Sequence, residues 1–170
     1  MVGTMCNDGP YILEWVAHYR LLGFRKIVIY TNDNIDGSDE LLDALADNGV
    51  IVLVRTARQA NVPPEAKAFN LALNLSSVLR DHEWALFVDS DEILVLAPEY
   101  SQNIDAFIDR VESLGLPQPV AAVAFQWLWF VSDFQFRRTP GLLQQRFQHA
   151  RQHWLSKSLV RVRDTLSMRK

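Results

Sequence analysis

The pattern of apolar and polar positions along the chain predicts strands that alternate with helices. Short continuous apolar runs are typical of strands buried on both faces of a sheet, whereas apolar residues recurring every three or four positions indicate one face of a helix. The predicted strands are residues 2–5, 26–30, 50–54, 84–88 and 120–125, and the predicted helices are residues 10–22, 38–48, 65–80 and 104–114. This order predicts an α/β fold, with a mostly parallel sheet covered by helices on both faces.

The most informative stretch is Trp84–Leu96. Five apolar residues run directly into Asp89-Ser90-Asp91-Glu92, and four more apolar residues follow. Carboxylates this close together repel one another, and a bound cation relieves that repulsion. Because carboxylate oxygens suit Mg²⁺ or Mn²⁺, we predict that Asp89 and Asp91 face one such ion. The alternative is an ordinary polar turn between two strands.

Polar loops also follow the first two predicted strands. Asp8 comes after the first strand, and the loop of residues 32–36 comes after the second. In parallel sheets the carboxyl ends of the strands share one edge, and ligands bind beyond it. We therefore expect Asp8, residues 32–36 and Asp89–Asp91 to converge on one edge of the sheet.

Composition narrows the class of protein. The 170 residues suffice for a single domain with a hydrophobic core, and 49% hydrophobic with 22% charged residues is typical of a globular protein. No uninterrupted apolar run reaches the roughly 18 residues that a membrane span requires. The single cysteine, Cys6, fits a reducing compartment, and we expect a cytoplasmic location.

The net charge of −3 conceals an uneven distribution along the chain. Residues 1–136 hold 8 Lys and Arg against 19 Asp and Glu, whereas residues 137–170 hold 9 Lys and Arg against a single acid, Asp164. A basic segment of this kind favours contact with an anionic ligand, with the acidic body, or with the cytoplasmic face of a membrane. A simply solvated basic face is the alternative.

Together, these motifs resemble those of the GT-A glycosyltransferases, specifically the family 2-like group. The resemblance covers most of the chain, and Phe87–Glu92 is similar to the Asp-X-Asp metal motif of that group. The other matching segments are Cys6–Trp15, Tyr30–Ser38 and, more weakly, Pro140–Phe147 and Lys157–Arg161. The resemblance implies a single GT-A domain over residues 1–170, with a nucleotide-sugar and metal-binding half at 1–98 and an acceptor half at 99–170.

The same resemblance implies an activity. The enzyme would transfer a sugar from a nucleotide-diphosphate sugar, with a UDP-sugar as the expected donor, to a hydroxyl group of a carbohydrate or lipid-linked acceptor. We expect inversion at the anomeric carbon, dependence on Mn²⁺ or Mg²⁺, and no nucleic-acid partner.

Site residues follow from the matching motifs. Asp91 and Asp89 would bind the metal ion, with Asp89 also placed to face the ribose. The residues implied to contact the donor are Asp8, Asp33, Lys67, Asp89 and Ser90. For Lys67, a solvated position on a helix is the alternative.

Inverting transfer also needs a base that accepts the proton of the attacking hydroxyl. Asp133 is one candidate, because it is the only acid between Glu112 and Asp164. Glu92 is the other, although its side chain has the alternative of pointing back into the core.

The segment around Asp133 is rich in aromatic residues. These residues either pack in the core or form a platform on which a sugar stacks. They are Trp127, Trp129, Phe130, Phe134 and Phe136. His149 and His153 have the spacing of neighbours on one helical face, where we expect surface or packing roles.

Two other functions fit parts of the pattern. A degenerate or truncated glycosyltransferase domain would bind a nucleotide sugar without turnover. A phosphatase of the haloacid dehalogenase type also places Asp-X-Asp after an apolar strand, with the first Asp as nucleophile. In this chain the strand that carries the motif is the fourth, and no acidic pair follows Lys157.

Overall fold

The computed structural model describes residues 1–74, 77–132, 137 and 139–165. The strands are β1 (Val2–Met5), β2 (Val28–Thr31), β3 (Val52–Arg55), β4 (Trp84–Asp89), β5 (Ala122–Phe130) and β6 (Ala150–Arg161). The helices are α1 (Gly9–Leu21), α2 (Ser38–Asp47), α3 (Pro64–Asn74), α4 (Ile104–Glu112) and the single turn α5 (Leu143–Arg146). Among the described residues, no helix is long and apolar enough to cross a membrane.

The six strands form one sheet in the order β3-β2-β1-β4-β6-β5. The first four strands in that order pair in parallel, while β6 pairs antiparallel with both β4 and β5. Thr4 of β1 pairs with Tyr30 of β2 and with Asp89 of β4, so the carboxyl ends of these three strands lie at the same edge. The predicted α/β class, the mostly parallel sheet and the convergence of three loops on one edge are confirmed.

Helices cover both faces of the sheet, as predicted. One core joins α1, α2 and α4 to the sheet, and its largest fully buried side chains include Trp15 and Tyr19 of α1. The other core joins α3 to the opposite face, where Phe69 packs edge-on against Phe87 of β4. Strand β4 is therefore apolar on both sides, which explains its continuous hydrophobic run.

Helix α1 packs unusually close to β1. A Cβ atom built on Gly3 would lie 2.5 Å from the Trp15 ring, so only glycine fits beneath this side chain. The same ring donates a hydrogen bond to the Asp89 carbonyl, which ties α1 to the end of β4.

The main error of the sequence interpretation lies at the C-terminus. We expected His149 and His153 on a helix, but residues 150–161 form β6, which inserts between β4 and β5. A spacing of four residues is even, so it places two side chains on one face of a strand as readily as on one face of a helix. The sixth strand was missed for this reason.

Other differences concern the ends of elements. Helix α3 ends at Asn74 and is followed by a short 3-10 turn, Ser77–Leu79, where we predicted one helix over residues 65–80. The alternative of a polar turn between two strands placed a second strand at residues 93–96, but these residues form no strand. Leu94 and Leu96 are nevertheless buried, because they pack into the core beneath α1.

Candidate active site

Three charged side chains meet where β4 ends. The Lys157 Nζ on β6 donates a hydrogen bond to the Asp89 Oδ2 at 2.7 Å and lies 3.2 Å from the Glu92 Oε2. Each of the three side chains is no more than 20% exposed. One ammonium group therefore faces two carboxylates in a partly dehydrated setting, which strengthens their attraction.

The pKa directions agree with this arrangement. Burial alone would lower the pKa of Lys157, but its hydrogen bond to Asp89 and the charge of Glu92 outweigh burial and raise it. Burial raises the pKa of Glu92, against the opposing effect of the Asp89 backbone N–H and of Lys157. Lys157 is therefore firmly charged at neutral pH and supplies the cation of this cluster.

The turn after β4 closes on itself. The Asp89 backbone N–H donates to the Glu92 Oε2 at 2.8 Å, and the Glu92 N–H donates to the Asp89 carbonyl at 3.2 Å. The Glu92 side chain thus points back toward the strand end and Lys157. From the sequence we considered Glu92 either as the catalytic base or as a side chain that points back toward the core, and the structure shows the latter orientation.

Helix α1 fixes the same turn from above. The Trp15 Nε1 donates to the Asp89 carbonyl at 3.2 Å, and the Tyr19 hydroxyl donates to the Glu92 carbonyl at 3.0 Å. Tyr19 also accepts a hydrogen bond from the Leu94 N–H at 3.1 Å. Trp15 and Tyr19 lie four residues apart on one helical face, so α1 holds both ends of the turn.

Asp91 differs from its neighbours, because its side chain is exposed while Ser90 beside it is only partly exposed. Within the described ranges, no group of three or more His, Cys, Asp or Glu side chains has the geometry to hold a metal ion. Asp91 is therefore the exposed carboxylate of the Asp-X-Asp motif, while Asp89 is engaged by Lys157.

The loops after β1 and β2 are joined to each other. The Asn7 N–H donates to the Asn34 Oδ1 at 2.8 Å, and the Ile35 N–H donates to the Asn7 Oδ1 at 2.7 Å. The Gly9 N–H donates to the Asp36 Oδ2 at 3.1 Å, at the start of α1. Asp36 thus couples the loop after β2 to the start of α1.

Asp8 and Asp33 occupy these same loops. Asp8 is half-buried and accepts a hydrogen bond from the Cys6 N–H at 2.9 Å. Asp33 is exposed, has a left-handed backbone with φ of 51°, and accepts a hydrogen bond from the Asn32 side chain at 2.9 Å. Both carboxylates therefore lie at the carboxyl edge of β1 and β2, the position predicted from the sequence.

Two other predicted site residues are not part of the cluster around Lys157: Lys67 contacts a different loop, and Asp133 is not among the described residues. The Lys67 Nζ donates to the Ala57 carbonyl at 2.6 Å, which ties α3 to the loop that precedes it. Asp133 falls outside the described residues, as do Phe134 and Phe136.

Lys157 is the site residue that sequence reasoning missed. Lys157 stands between Ser156 and Ser158, directly before the apolar pair Leu159 and Val160, but this pattern has meaning only once residues 150–161 are assigned as a strand. The weak similarity of Lys157–Arg161 to a family motif pointed to the right segment without indicating its contact with Asp89.

The chain is an α/β protein with a mostly parallel sheet, and in proteins of this class ligands bind at the carboxyl edge of the strands, where β4 ends in carboxylates. A match to a protein family identifies the family of this chain. A sequence model of glycosyltransferase family 92 matches residues 7–169, so the chain belongs to this family. The similarity to family 2 that we inferred from the motifs is not confirmed by this match, whereas the assignment to a glycosyltransferase family is. No curated protein matches the chain.

Solved structures with a similar fold are also glycosyltransferases. The mannosyltransferase PcManGT from Pyrobaculum calidifontis, in complex with GDP-Man and Mn²⁺, is 19% identical over 71% of this chain and 33% of its own, with a TM-score of 0.48. TarS from S. aureus, in complex with UDP-GlcNAc, is 20% identical over 69% of this chain and 36% of its own, with a TM-score of 0.47. The chain thus spans about a third of the length of these structures.

Proposed function

We propose that this chain transfers a sugar from a nucleotide-diphosphate sugar to a hydroxyl group, at the carboxyl edge of β4. Membership of glycosyltransferase family 92 supports the reaction class. The observation that carries the proposal is the exposed carboxylate of Asp91, next to an Asp89 that Lys157 neutralises. This pairing leaves the Asp91 carboxylate accessible at the end of β4, on the edge where the loops after β1 and β2 begin.

The donor nucleotide is proposed to lie over the loops after β1 and β2. Asp8 and Asp33 are the acceptors there for the N–H groups of a base or the hydroxyl groups of a ribose, because carboxylates accept such hydrogen bonds strongly. The hydrogen bonds of Asn7 with Asn34 and with the Ile35 N–H hold the two loops together before a ligand binds. Ser90 would contact the donor from the turn after β4, and Lys67 from α3 once released from the Ala57 carbonyl.

A divalent metal ion fits this edge if the donor supplies most of its ligands. Mg²⁺ in nucleotide enzymes is commonly held by one or two carboxylates together with substrate phosphates, so a complete protein cage is not required. We assign Asp91 as the protein ligand. When bound, the ion supplies charge neutralisation for the departing diphosphate. Asp89 as a second ligand stays a prediction, since its Oδ2 is bonded to Lys157.

Two acids, Glu92 and Asp133, are the candidates for the catalytic base. The Glu92 carboxylate accepts a hydrogen bond from the Asp89 N–H and lies against Lys157, so it is already engaged within the turn after β4. We therefore favour Asp133 as the group that accepts the proton, with inversion at the anomeric carbon as the expected stereochemistry.

A thermal-shift panel tests donor binding. The melting temperature is measured with UDP, GDP, CMP and dTDP, each with and without Mn²⁺. We expect one diphosphate to raise the melting temperature only when Mn²⁺ is present, because Asp91 would hold the ion that neutralises the diphosphate. Asp91→Asn should lose this shift, and Asp47→Asn should keep it, because Asp47 is exposed at the end of α2, where the chain turns toward the start of β3.

The proposal would be wrong if no nucleotide diphosphate raised the melting temperature with Mn²⁺. Stabilisation by inorganic phosphate or a fluoride–metal complex, with all nucleotides inert, would favour the phosphatase alternative instead.

A further inference from the structure

We propose that four side chains on β5 and β6 form a binding platform for a saccharide, which serves as the acceptor of the transferred sugar. This aromatic ladder consists of Trp127, Trp129, His153 and Trp154. The role of the bound saccharide as acceptor rests on the proposed function, whereas the binding surface itself is independent of it.

The rings of the ladder are nearly parallel. The His153 ring lies 4.3 Å from the Trp129 ring with an interplanar angle of 24°, and 6.0 Å from the Trp127 ring at 30°. Trp154 continues the series, 5.6 Å from His153 at 29°. Trp129 is 46% exposed and Trp154 is 83% exposed, so the outer part of this series faces solvent.

A bulge in the hairpin produces the ladder. Gln126 pairs with Ser156 and Leu128 pairs with Gln152, so three residues of β6 stand opposite the single residue Trp127. Extra residues in one strand redirect side chains that would otherwise alternate regularly. His153 and Trp154 belong to this irregular segment.

Hydrogen bonds hold the bulge in place. The Gln126 side chain donates to the His153 carbonyl at 3.1 Å, and the His153 Nδ1 accepts from the Leu155 N–H at 3.3 Å. In the neutral ring the proton is then on Nε2, which leaves His153 with a donor on its other edge. The ladder is therefore preorganised, which lowers the entropic cost of binding.

The ladder begins where the proposed donor site ends. The register pairs Phe125 with Lys157, and alternation places Trp127 and Trp129 on the same face as these two residues. The Lys157 Nζ lies 5.6 Å from the centre of the Trp127 ring and 2.7 Å from the Asp89 Oδ2. A single lysine thus connects the carboxylates to the first ring of the ladder.

Position in the sheet separates the ladder from the donor nucleotide. The loops proposed to hold the nucleotide follow β1 and β2, on one side of β4, whereas β6 and β5 lie on the other side. An acceptor must reach the reacting sugar from a side that the nucleotide leaves open. The ladder occupies that side.

A saccharide matches the chemistry of this surface. Sugars present apolar C–H faces that pack on flat aromatic rings and hydroxyl groups at their rims that require hydrogen-bond partners. Arg151 lies 5.6 Å above the Trp129 ring and adds donors next to the stacking surface. Isolated exposed aromatic residues are unremarkable, but a contiguous series beside polar donors marks an interaction site.

The test measures glycan binding directly. The full chain is applied to an array of plant, bacterial and animal oligosaccharides, and bound glycans are titrated by tryptophan fluorescence. We expect at least one glycan class to bind, and Trp129→Ala or Trp154→Ala to weaken its affinity at least tenfold. The control is Leu21→Ala, which removes a side chain of equal prominence at the end of α1.

Parallel measurements separate the alternatives. Sedimentation with phosphatidylcholine vesicles containing phosphatidylglycerol, lost in Trp154→Ala without any glycan binding, would overturn the proposal in favour of a membrane surface. A dimer that dissociates in Trp154→Ala would overturn it in favour of self-association. Absence of all glycan binding would also overturn it.

Donor binding is scored separately, by the melting temperature with UDP or GDP and Mn²⁺. Trp154→Ala should leave this shift unchanged, because Trp154 stands beyond Lys157 on the far side of β4. Glycan binding without any nucleotide shift would support the ladder as a saccharide site while contradicting the proposed donor site.

Discussion

Two regions of the same sheet differ in how their side chains are arranged. One is the carboxyl edge of β1, β2 and β4, and the other is the hairpin of β5 and β6. At the edge, polar groups are tied to one another and to α1, so Asp89 and Glu92 hold fixed positions. On the hairpin, large aromatic side chains extend into solvent. Charged groups are therefore held in place where a diphosphate is expected, while apolar area is left open where an acceptor is expected.

Two tryptophans provide the sharpest contrast between these regions. Trp15 is fully buried and bonds the Asp89 carbonyl, whereas Trp154 is almost fully exposed. Trp15→Ala should lower the free energy of unfolding by about 4 kcal/mol, because it leaves a large cavity in the core. Trp154→Ala should change it by less than about 0.5 kcal/mol, as is usual for surface positions.

Urea unfolding followed by circular dichroism measures both variants. Equal losses of stability would contradict the contrast between buried Trp15 and exposed Trp154, since they would mean that Trp154 is packed in solution and that the hairpin is not an open surface.

Lys157 is the residue that joins the two regions, and its removal should have the next largest effect. Lys157→Met leaves two partly buried carboxylates without their cation, and we expect a loss of about 3 kcal/mol at pH 7. Lys157→Arg, which retains the charge, should recover part of the loss. Chemical denaturation of the three proteins measures this series.

The pH dependence of the Lys157 contribution has a defined sign. The pKa of Lys157 is raised in the folded chain by Asp89 and Glu92 despite burial, so its contribution is complete below the ordinary lysine value of about 10.4. It is then lost as pH rises through the higher folded value. The gap between wild type and Lys157→Met should therefore narrow above about pH 10.4, and a constant gap would contradict the ion pair.

Asp36 tests the coupling of the loops after β1 and β2, with a smaller expected effect. The Ser38 hydroxyl, 2.5 Å away, lowers the pKa of Asp36, and the Ser38 and Gly9 N–H groups act in the same direction. A lowered pKa stabilises the fold above the ordinary value of about 3.9, and this stabilisation is lost as pH falls through the folded value.

Asp36→Asn should accordingly lower the melting temperature at pH 7 by less than Lys157→Met does. The difference from wild type should shrink as pH falls below about 3.9 and disappear once pH is below the lower pKa of Asp36 in the folded chain. Asp109→Asn, an exposed substitution on α4, is the matched control. A deficit that persisted in acid would show that Asp36 acts through something other than its charge.

The sequence was sufficient for most of the first region. Continuous apolar runs identified β1 and β4, and the order of elements implied a parallel sheet, so Asp8 and Asp89 were correctly assigned to one edge. Such inferences succeed because burial on both faces and the handedness of parallel connections leave few alternatives.

The second region could not be predicted in the same way. The spacing of His149 and His153 fits a helix and a strand equally well, and only pairing with β5 decides between them. The contact between Lys157 and Asp89 spans 68 positions in the chain and depends on the placement of β6 between β4 and β5. Local patterns carry no information about such long-range pairing.

The most direct test of the central claim is turnover of the donor. The nucleotide diphosphate that stabilises the chain is supplied as its sugar conjugates with Mn²⁺, and release of nucleoside diphosphate is measured for wild type, Asp91→Asn and Asp47→Asn. We predict release by wild type and by Asp47→Asn, with at least a ~100-fold lower rate in Asp91→Asn, because charge on the leaving diphosphate is no longer neutralised. Equal rates in Asp91→Asn and wild type would contradict the assignment of the carboxyl edge of β4 as the site of transfer.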